Sequence, residues 1–176
     1  MARIPLVRIE NMTATQRAQY DRFPSNLSRA LLLVDDRLAG ALPNLANALR
    51  TSSLDPVLRE AVILRVAALT GSAYERMQHL GQAEKAGLDS AAIAAIETGD
   101  AAAMPRGMAA VLAFAEACVA APRVPDDVFD AAGAALSQRD LVTVILLVGH
   151  YLMVGRLLAT LDVELDPAPD SWAAEH

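Results

Sequence analysis

The chain has 176 residues, a length that favours one domain with one core. Hydrophobic residues make up 54% of it but aromatic residues only 4%, so the core must consist of alanine and aliphatic side chains, a composition that favours packed helices over sheet. With 15 basic against 21 acidic residues, a net charge of -6 and no Lys/Arg cluster, the sequence argues against nucleic-acid binding.

The first third of the chain predicts an extended arm followed by helices. Residues 1–12 are expected to be extended because Pro5 disfavours helical geometry in the residue before it. Three helices are expected here, with boundaries set by capping hydroxyls, glycines and prolines. They lie at about 13–23, with Thr13 or Thr15 as the cap, at about 26–38 and at about 43–50, and Gly40 and Pro43 mark the break between the second and the third.

The rest of the chain predicts six further helices and a tail. Asp55-Pro56 is a strong helix start because an N-cap precedes a proline at the first helical position. Helices at 56–69 and 72–86, separated by Thr70-Gly71, should form a hairpin. The remaining helices are expected at about 90–97, 107–121, 125–136 and 137–161, followed by a tail with Pro167, Pro169 and Trp172.

The last of these helices raises the question of a membrane span. Leu141 to Leu161 is a 21-residue apolar stretch, long enough to cross a bilayer. His150 and Arg156 within it, and the absence of a Lys/Arg-rich flank, argue against that interpretation. We expect instead a helix buried by its own domain and by a neighbouring subunit, which the surplus of apolar residues also favours.

The cysteine and histidine content limits the kinds of site. Cys118 is the only cysteine, so an intrachain disulfide or a multi-cysteine metal site cannot form, which fits a cytoplasmic protein. The first residues lack the apolar stretch of a signal peptide. No metal is expected because His79, His150 and His176 have no ligand spacing, and no cofactor motif follows a strand.

Glu60 is an informative residue because it is ionisable inside an apolar helix. On a helical projection it lies with Val57, Ile63 and Leu64 on the side that faces the core, where burial would raise its pKa. A structural glutamate bound to a backbone group or an arginine is the alternative interpretation.

The next helix carries a carboxylate and an imidazole at matched spacing. Glu75 and His79 are four residues apart and therefore share a helix face, so the acid could orient the imidazole for proton transfer. Ser72 with Glu75 also fits the S-x-x-E capping box, in which both side chains bind backbone N–H groups instead.

These residues resemble the core motif of the carboxymuconolactone decarboxylase family, which includes the alkylhydroperoxidase D branch. The similarity covers about residues 40–166 and rests on these runs: Leu58-Arg59-Glu60-x-x-Ile63-Leu64-Arg65, Tyr74-Glu75-Arg76-x-x-His79, Ala83-x-x-Ala86-Gly87-Leu88, Tyr151-x-Met153-Val154-x-Arg156-Leu157-Leu158 and Leu161-x-Val163-Glu164-Leu165. One domain over 1–176 follows, with an arm and first helix at 1–24, the family core at 40–166 and a tail at 167–176.

The resemblance implies an all-helical AhpD-like bundle that assembles as a homodimer, trimer or hexamer. In the peroxidase branch two cysteines stand where this chain has Ser72 and Glu75, so thiol-dependent peroxide reduction is not expected here. Cys118 is a poor substitute because it lies in an apolar run without a resolving partner.

The decarboxylase branch implies acid/base chemistry instead. Glu60, Glu75, His79 and Tyr74 are then the candidate catalytic residues, with Tyr74 as a hydrogen-bond donor to an enolate. Candidate substrate-binding residues are Ser72, Arg76, His150 and Arg156, the arginines as carboxylate clamps.

Two functions remain open at this point. The first is a cofactor-free lyase, decarboxylase or isomerase acting on a small oxygenated carbon acid, without a nucleic-acid or membrane partner. The second is a non-catalytic oligomeric binding or accessory protein, in which Ser72 and Glu75 cap a helix and His79 packs in the core.

Overall fold

The computed structural model describes residues 2–168, and in this range the chain folds into nine α-helices without a strand. The prediction of an all-α bundle is therefore confirmed. Trp172 and the rest of the predicted tail beyond residue 168 lie outside the described residues.

In chain order the helices are α1 Ala14–Arg22, α2 Asn26–Leu31, α3 Asp36–Arg50, α4 Pro56–Thr70, α5 Ala73–Ala86, α6 Ser90–Thr98, α7 Arg106–Ala120, α8 Asp126–Ala135 and α9 Gln138–Leu161, with 3-10 turns at Ile9–Asn11 and Ala101–Ala103.

Most helix ends follow from local capping chemistry. Thr13 closes a reciprocal capping box at the start of α1, and the Asp55 carboxylate accepts from two backbone N–H groups at the start of α4. Gly71 and Gly87 end α4 and α5 with φ values of 65° and 110°, in the left-handed region that glycine tolerates best. The predicted hairpin of α4 and α5 forms between these signals.

The predicted break at Gly40 and Pro43 is wrong. The structure ends α2 earlier, and α3 starts at an N-cap formed by Asp35, whose carboxylate accepts from the Leu38 N–H at 3.0 Å. The helix then runs through both residues. A proline inside a helix removes one hydrogen bond, but Ala39 and Leu49, buried on either side of it, show that packing holds α3 together.

Helix α4 lies at the centre of the bundle, in contact with α5, α6, α7 and α9. Its residues Ala61 to Leu64 are almost inaccessible to solvent, and they pack against fully buried side chains such as Phe114 and Val144. Because α4 is covered on nearly every side, any charged group on it must find a partner inside the protein. Glu60 is the charged residue of α4 to which this applies most strongly.

Helix α9 is the one helix of the described range long and apolar enough to cross a membrane. Half of its most apolar 18-residue window is buried inside the fold, where it packs against α4 and α7. The other half includes an exposed apolar stripe formed by Val142, Ile145, Leu146 and Met153, which are 43% to 55% exposed.

Arg65 ties α4 to two other helices. Its guanidinium binds the Glu116 carboxylate at 2.7 Å and donates to the Glu97 carbonyl at 2.7 Å, at the carboxyl end of α6. A cation there complements the partial negative charge of the helix end. Gly99 follows immediately with φ 76°, and a Cβ on it would lie 2.5 Å from Arg65 Nη2.

We therefore expect Gly99→Ala to lower the free energy of unfolding by about 1–3 kcal/mol, through backbone strain and displacement of the Arg65 guanidinium. Gly133→Ala is the matched control, because Gly133 lies within α8 and a Cβ there meets nothing within 4 Å. It should stabilise the protein by up to about 1 kcal/mol. Chemical denaturation of both variants measures the difference, and equal stability of the two would contradict this account.

Candidate active site

The helical hairpin places the Glu60 carboxylate beside the His79 imidazole. Glu60 Oε2 lies 2.8 Å from His79 Nδ1, across the interface between α4 and α5. Both side chains are only 4% exposed. The predicted convergence of these two residues is thus present in the structure. A buried hydrogen bond of this kind fixes the orientation of the imidazole ring.

Arg59 completes the environment of the Glu60 carboxylate. Its Nε donates to Glu60 Oε1 at 3.0 Å, while its Nη1 donates to the Arg50 carbonyl at 2.8 Å. Burial acts to raise the pKa of Glu60, but His79 and Arg59 outweigh it, so the pKa lies below its ordinary value. Glu60 is therefore an ionised carboxylate at neutral pH.

Glu75 approaches the same imidazole from the other side and has the opposite electrostatic character. Its Oε2 lies 3.7 Å from His79 Nε2, and burial raises the pKa of Glu75 despite the opposing effect of His79. Its Oε1 is buried and accepts or donates no hydrogen bond within residues 2–168. The pKa of one acid beside His79 is thus lowered and that of the other is raised, a division typical of acid/base pairs.

Ser72 caps α5 and lies outside the site. Its hydroxyl accepts from the Glu75 N–H at 3.4 Å, while the Ser72 N–H donates to the Ala67 carbonyl. The capping box is therefore only half formed, because the Glu75 side chain turns to His79 instead of to the Ser72 backbone. Ser72 lines neither of the cavities described below, so the structure does not support its predicted role in substrate binding.

Two cavities meet at His79. The larger has a volume of about 510 Å³ and is bounded by α1, α2, α3, α5 and α9. Its polar lining comprises Arg22, Asn47, Arg50, Tyr74, Glu75, Gln78, His79, Gln82, His150 and Tyr151. The smaller, of about 140 Å³, lies on the Glu60 side and shares His79, Arg50, Gln82 and Tyr151 with the first. The larger volume is within the usual range for small-molecule sites.

Tyr74 lines the larger cavity, but its hydroxyl is engaged elsewhere. The hydroxyl donates to the Asp166 carboxylate and accepts from the Leu27 N–H at 3.1 Å. Burial and the Asp166 carboxylate raise the pKa of Tyr74. The predicted role as a donor to an enolate is therefore not supported, because both hydrogen-bonding functions of this hydroxyl serve the fold.

The two predicted arginine clamps lie away from the cavities. Arg76 is exposed and forms an ion pair with Glu97, with Nε 2.6 Å from the carboxylate. Arg156 is exposed on α9 and lines neither cavity. From its position on α5 the Arg76 side chain reaches α6, where Glu97 binds it, and it does not enter the cavities. Neither position supports the predicted carboxylate contact.

His150 enters the larger cavity from α9, as the sequence predicted it could. Its ring packs edge-on against Tyr151, with centroids 5.0 Å apart, and Tyr151 packs in the same way against His79. Burial, and to a smaller extent His79, lowers the pKa of His150 to about 4, so the ring is neutral at neutral pH. Its Nδ1 is buried without a hydrogen bond to any residue in the described range.

Several cavity residues were not predicted from the sequence as site residues. Arg22 and Arg50 are exposed on α1 and α3, and Gln82 is half-buried on α5. A polar residue at such positions carries no signal of its own. Arg59 and Tyr151 belong to the runs on which the family resemblance rests, and that was the one signal that could have identified them.

Comparison with known proteins identifies the family. Residues 37–125 match the model of the Carboxymuconolactone decarboxylase family, which is half of the chain. The chain belongs to this family. The match includes α4, α5 and thus Glu60, Glu75 and His79. No curated protein matches.

Solved structures of this fold come from several proteins. The alkylhydroperoxidase AhpD core of an uncharacterized peroxidase-related protein from Ralstonia eutropha JMP134 is similar with a TM-score of 0.80 and 16% identity, covering 94% of this chain and 93% of that chain. The debrominase Bmp8 is represented by a cysteine-to-alanine variant in complex with 2,3,4-tribromopyrrole. It is similar with a TM-score of 0.77 and 15% identity, covering 97% of this chain and 97% of that chain. A protein of unknown function from Agrobacterium tumefaciens is similar with a TM-score of 0.67 and 20% identity. The match covers 72% of this chain and 88% of that chain. These likenesses establish an AhpD-like fold.

The raised pKa of Glu75 predicts a pH-dependent effect on stability. Above about pH 4.5, its ordinary pKa, the unfolded state releases this proton while the folded state retains it, so the contribution of Glu75 to stability falls as the pH rises. Glu75→Gln cannot ionise. We expect the variant to gain stability relative to the wild type as the pH rises, with no gain at acid pH.

Thermal unfolding measured across the pH range tests this expectation. Glu84→Gln is the matched control, because Glu84 is an exposed glutamate on the same helix. A Glu75→Gln variant whose stability parallels that of the control at every pH would show that burial does not shift the Glu75 equilibrium.

Proposed function

We propose that this protein is an acid/base enzyme that moves a proton at a carbon next to a carbonyl group in a small oxygenated substrate. The observation that carries the proposal is the His79 imidazole held between Glu60 at 2.8 Å and Glu75 at 3.7 Å, at the wall of a 510 Å³ cavity. Membership of the carboxymuconolactone decarboxylase family supports it, and a lactone acid of that type is the substrate class we favour.

The base in this proposal is His79 Nε2. The ionised Glu60 carboxylate accepts from Nδ1–H, which leaves the lone pair of the neutral imidazole on Nε2, the atom nearer to Glu75. Nε2 takes the proton from the substrate carbon, and the electron pair of the broken C–H bond moves onto the carbonyl oxygen. Glu60 and its partner Arg59 then stabilise the imidazolium without a change in their own protonation.

Glu75 is the proposed acid. Burial raises the pKa of its carboxyl, and its Oε1 has no hydrogen-bond partner in residues 2–168, so it is available to a ligand in the cavity. Donation of its proton to the developing enolate oxygen neutralises the charge produced by carbon deprotonation. The same pair, run in the opposite direction, reprotonates carbon for an isomerisation or after loss of carbon dioxide.

Thiol-dependent peroxide reduction is disfavoured. The single cysteine, Cys118, is on α7, where it packs partly buried against the core and lines neither cavity beside His79. Burial raises the pKa of its thiol, which lowers its reactivity.

A non-catalytic binding protein is the second candidate function. It is favoured by the positions of Ser72, Arg76 and Arg156, three residues expected at a substrate site that contribute nothing to the cavities. A cavity that binds a small molecule without any proton transfer would distinguish this function from the first.

We also propose that two copies associate through the exposed stripe on α9. Val142, Ile145, Leu146 and Met153 recur at helical spacing and form an apolar surface without a charged residue between them. An uncharged, uniform stripe is complementary to itself under a twofold axis, the usual symmetry of dimers. The surplus of apolar residues in the composition has the same explanation.

The combined variant Ile145→Lys and Leu146→Lys should then reduce the molar mass in solution, measured by light scattering after size exclusion, because each copy places two cations in the interface. Leu38→Lys is the control, since Leu38 is similarly exposed but lies on α3. A wild type that is already monomeric, or a double variant of unchanged mass, would exclude this interface.

The proposed base makes a prediction for His79→Gln. Hydrogen–deuterium exchange at the acidic carbon of unsaturated lactone acids, followed by NMR, reports proton transfer even before the full reaction is known. We expect exchange to fall at least about 100-fold in the variant. Glu84→Gln, remote from the cavities on the same helix, should leave the rate unchanged. Exchange that persists in His79→Gln would refute the role of this imidazole.

A further inference from the structure

Two arginines absent from the predicted site lie beside the larger cavity. Arg22 is the last residue of α1 and Arg50 the last residue of α3, and both line this cavity at exposed positions. Arg50 also lines the smaller cavity on the Glu60 side. Two guanidinium groups from separate helices therefore line the space that contains His79.

These arginines are held by neutral groups. Arg22 Nη2 donates to Asn44 Oδ1 at 2.9 Å, and Arg50 Nη2 donates to Asn47 Oδ1 at 2.8 Å. Each guanidinium has five N–H donors. The amide contacts thus orient both groups while leaving most of their donors for water or a ligand.

Other arginines of this chain differ from Arg22 and Arg50 because they have carboxylate partners. Arg65 and Arg76 form ion pairs with Glu116 and Glu97 at 2.7 Å and 2.6 Å. Neither Arg22 nor Arg50 has a carboxylate within 4.0 Å among residues 2–168. In a protein of net charge -6, two uncompensated cations at one cavity create a local preference for an anion.

The body of the cavity has different chemistry. Part of its lining is an apolar wall, contributed by α2, α3, α9 and the residue that follows α1: Phe23, Leu27, Leu31, Leu42, Pro43 and Val154. Such a wall binds hydrocarbon by removing it from water, at a gain that increases with the buried area. A bare inorganic ion would leave this surface uncovered.

The same cavity also has buried polar atoms. Glu75 Oε1 and His150 Nδ1 are buried there without hydrogen-bond partners in the described range. Buried polar atoms without partners are costly in an empty protein. An oxygen-bearing group of a ligand would supply both partners at once.

We infer that the site binds a small amphipathic organic anion, whose carboxylate is held by Arg22 and Arg50, whose hydrocarbon body contacts the apolar wall, and whose oxygenated end meets Glu75 and His150. This inference rests on the proposed function only for what happens at the oxygenated end. The binding itself requires no reaction. It replaces Arg76 and Arg156 as carboxylate ligands with two residues that line the cavity.

Benzoate is a suitable probe, with benzyl alcohol as its uncharged counterpart and acetate as the anion without a hydrocarbon body. Binding to the purified protein is followed by NMR titration. Benzoate should bind at least about tenfold more tightly than either counterpart, because each lacks one of the two recognised features. Arg50→Gln should weaken benzoate binding about tenfold and leave benzyl alcohol unaffected.

Arg37→Gln is the matched control, since Arg37 is an exposed arginine on α3 that lines neither cavity. It should bind benzoate as the wild type does. Arg22→Gln provides a second test on a different helix, and combined with Arg50→Gln it should abolish the preference for benzoate over benzyl alcohol. Circular dichroism of each variant verifies that the helices are intact.

Three results would overturn the inference: no saturable binding of benzoate, equal affinity for acetate and benzoate, or benzoate binding that does not depend on Arg50. The His79→Gln variant separates this inference from the proposed function. If it binds benzoate normally while the wild type exchanges no carbon-bound proton, the anion site is correct and the acid/base proposal fails.

Discussion

The contact between Glu60 and His79 is the interaction on which the site depends. It joins the central helix α4 to α5 through a 2.8 Å hydrogen bond between two side chains that water scarcely reaches. Burial alone would favour a neutral Glu60, so its ionised state relies on the imidazole and on Arg59 together. Removing His79 would therefore raise the pKa of Glu60, which makes structural and chemical roles inseparable at this position.

Different partners explain why the pKa values of two acids so close together shift in opposite directions. Glu60 lies on a helix covered by four others, and the fold provides it with a cation and a hydrogen-bond donor. Glu75 is equally buried, yet its Oε1 has no hydrogen bond in residues 2–168, and His79 lies farther from it. The difference in their pKa directions therefore follows from partners and not from burial, which both residues share.

The features that the sequence predicted follow from helix capping and helical periodicity. The cavity residues that it did not predict depend on how the helices dock against one another. Asp55 fixes where α4 begins, and helical periodicity then places Glu60 on its core side, so the convergence with His79 followed once the two helices formed a hairpin. Arg22 and Arg50 are polar residues at the exposed ends of their helices. Only the docking of α1 and α3 over the hairpin turns them into cavity residues, and no spacing rule within either helix describes that arrangement.

The carboxyl-terminal segment gives Tyr74 its actual role. Asp166 accepts hydrogen bonds from the Tyr74 hydroxyl, from Gln78 Nε2 at 2.7 Å and from the Asn26 N–H at 2.7 Å. Tyr74 and Gln78 line the larger cavity, and Asn26 begins α2, which supplies part of its apolar wall. One carboxylate thus fixes the distance between α2 and α5. Tyr74 determines the shape of the space in which His79 lies, because its hydroxyl connects the cavity wall to a segment more than 90 residues away.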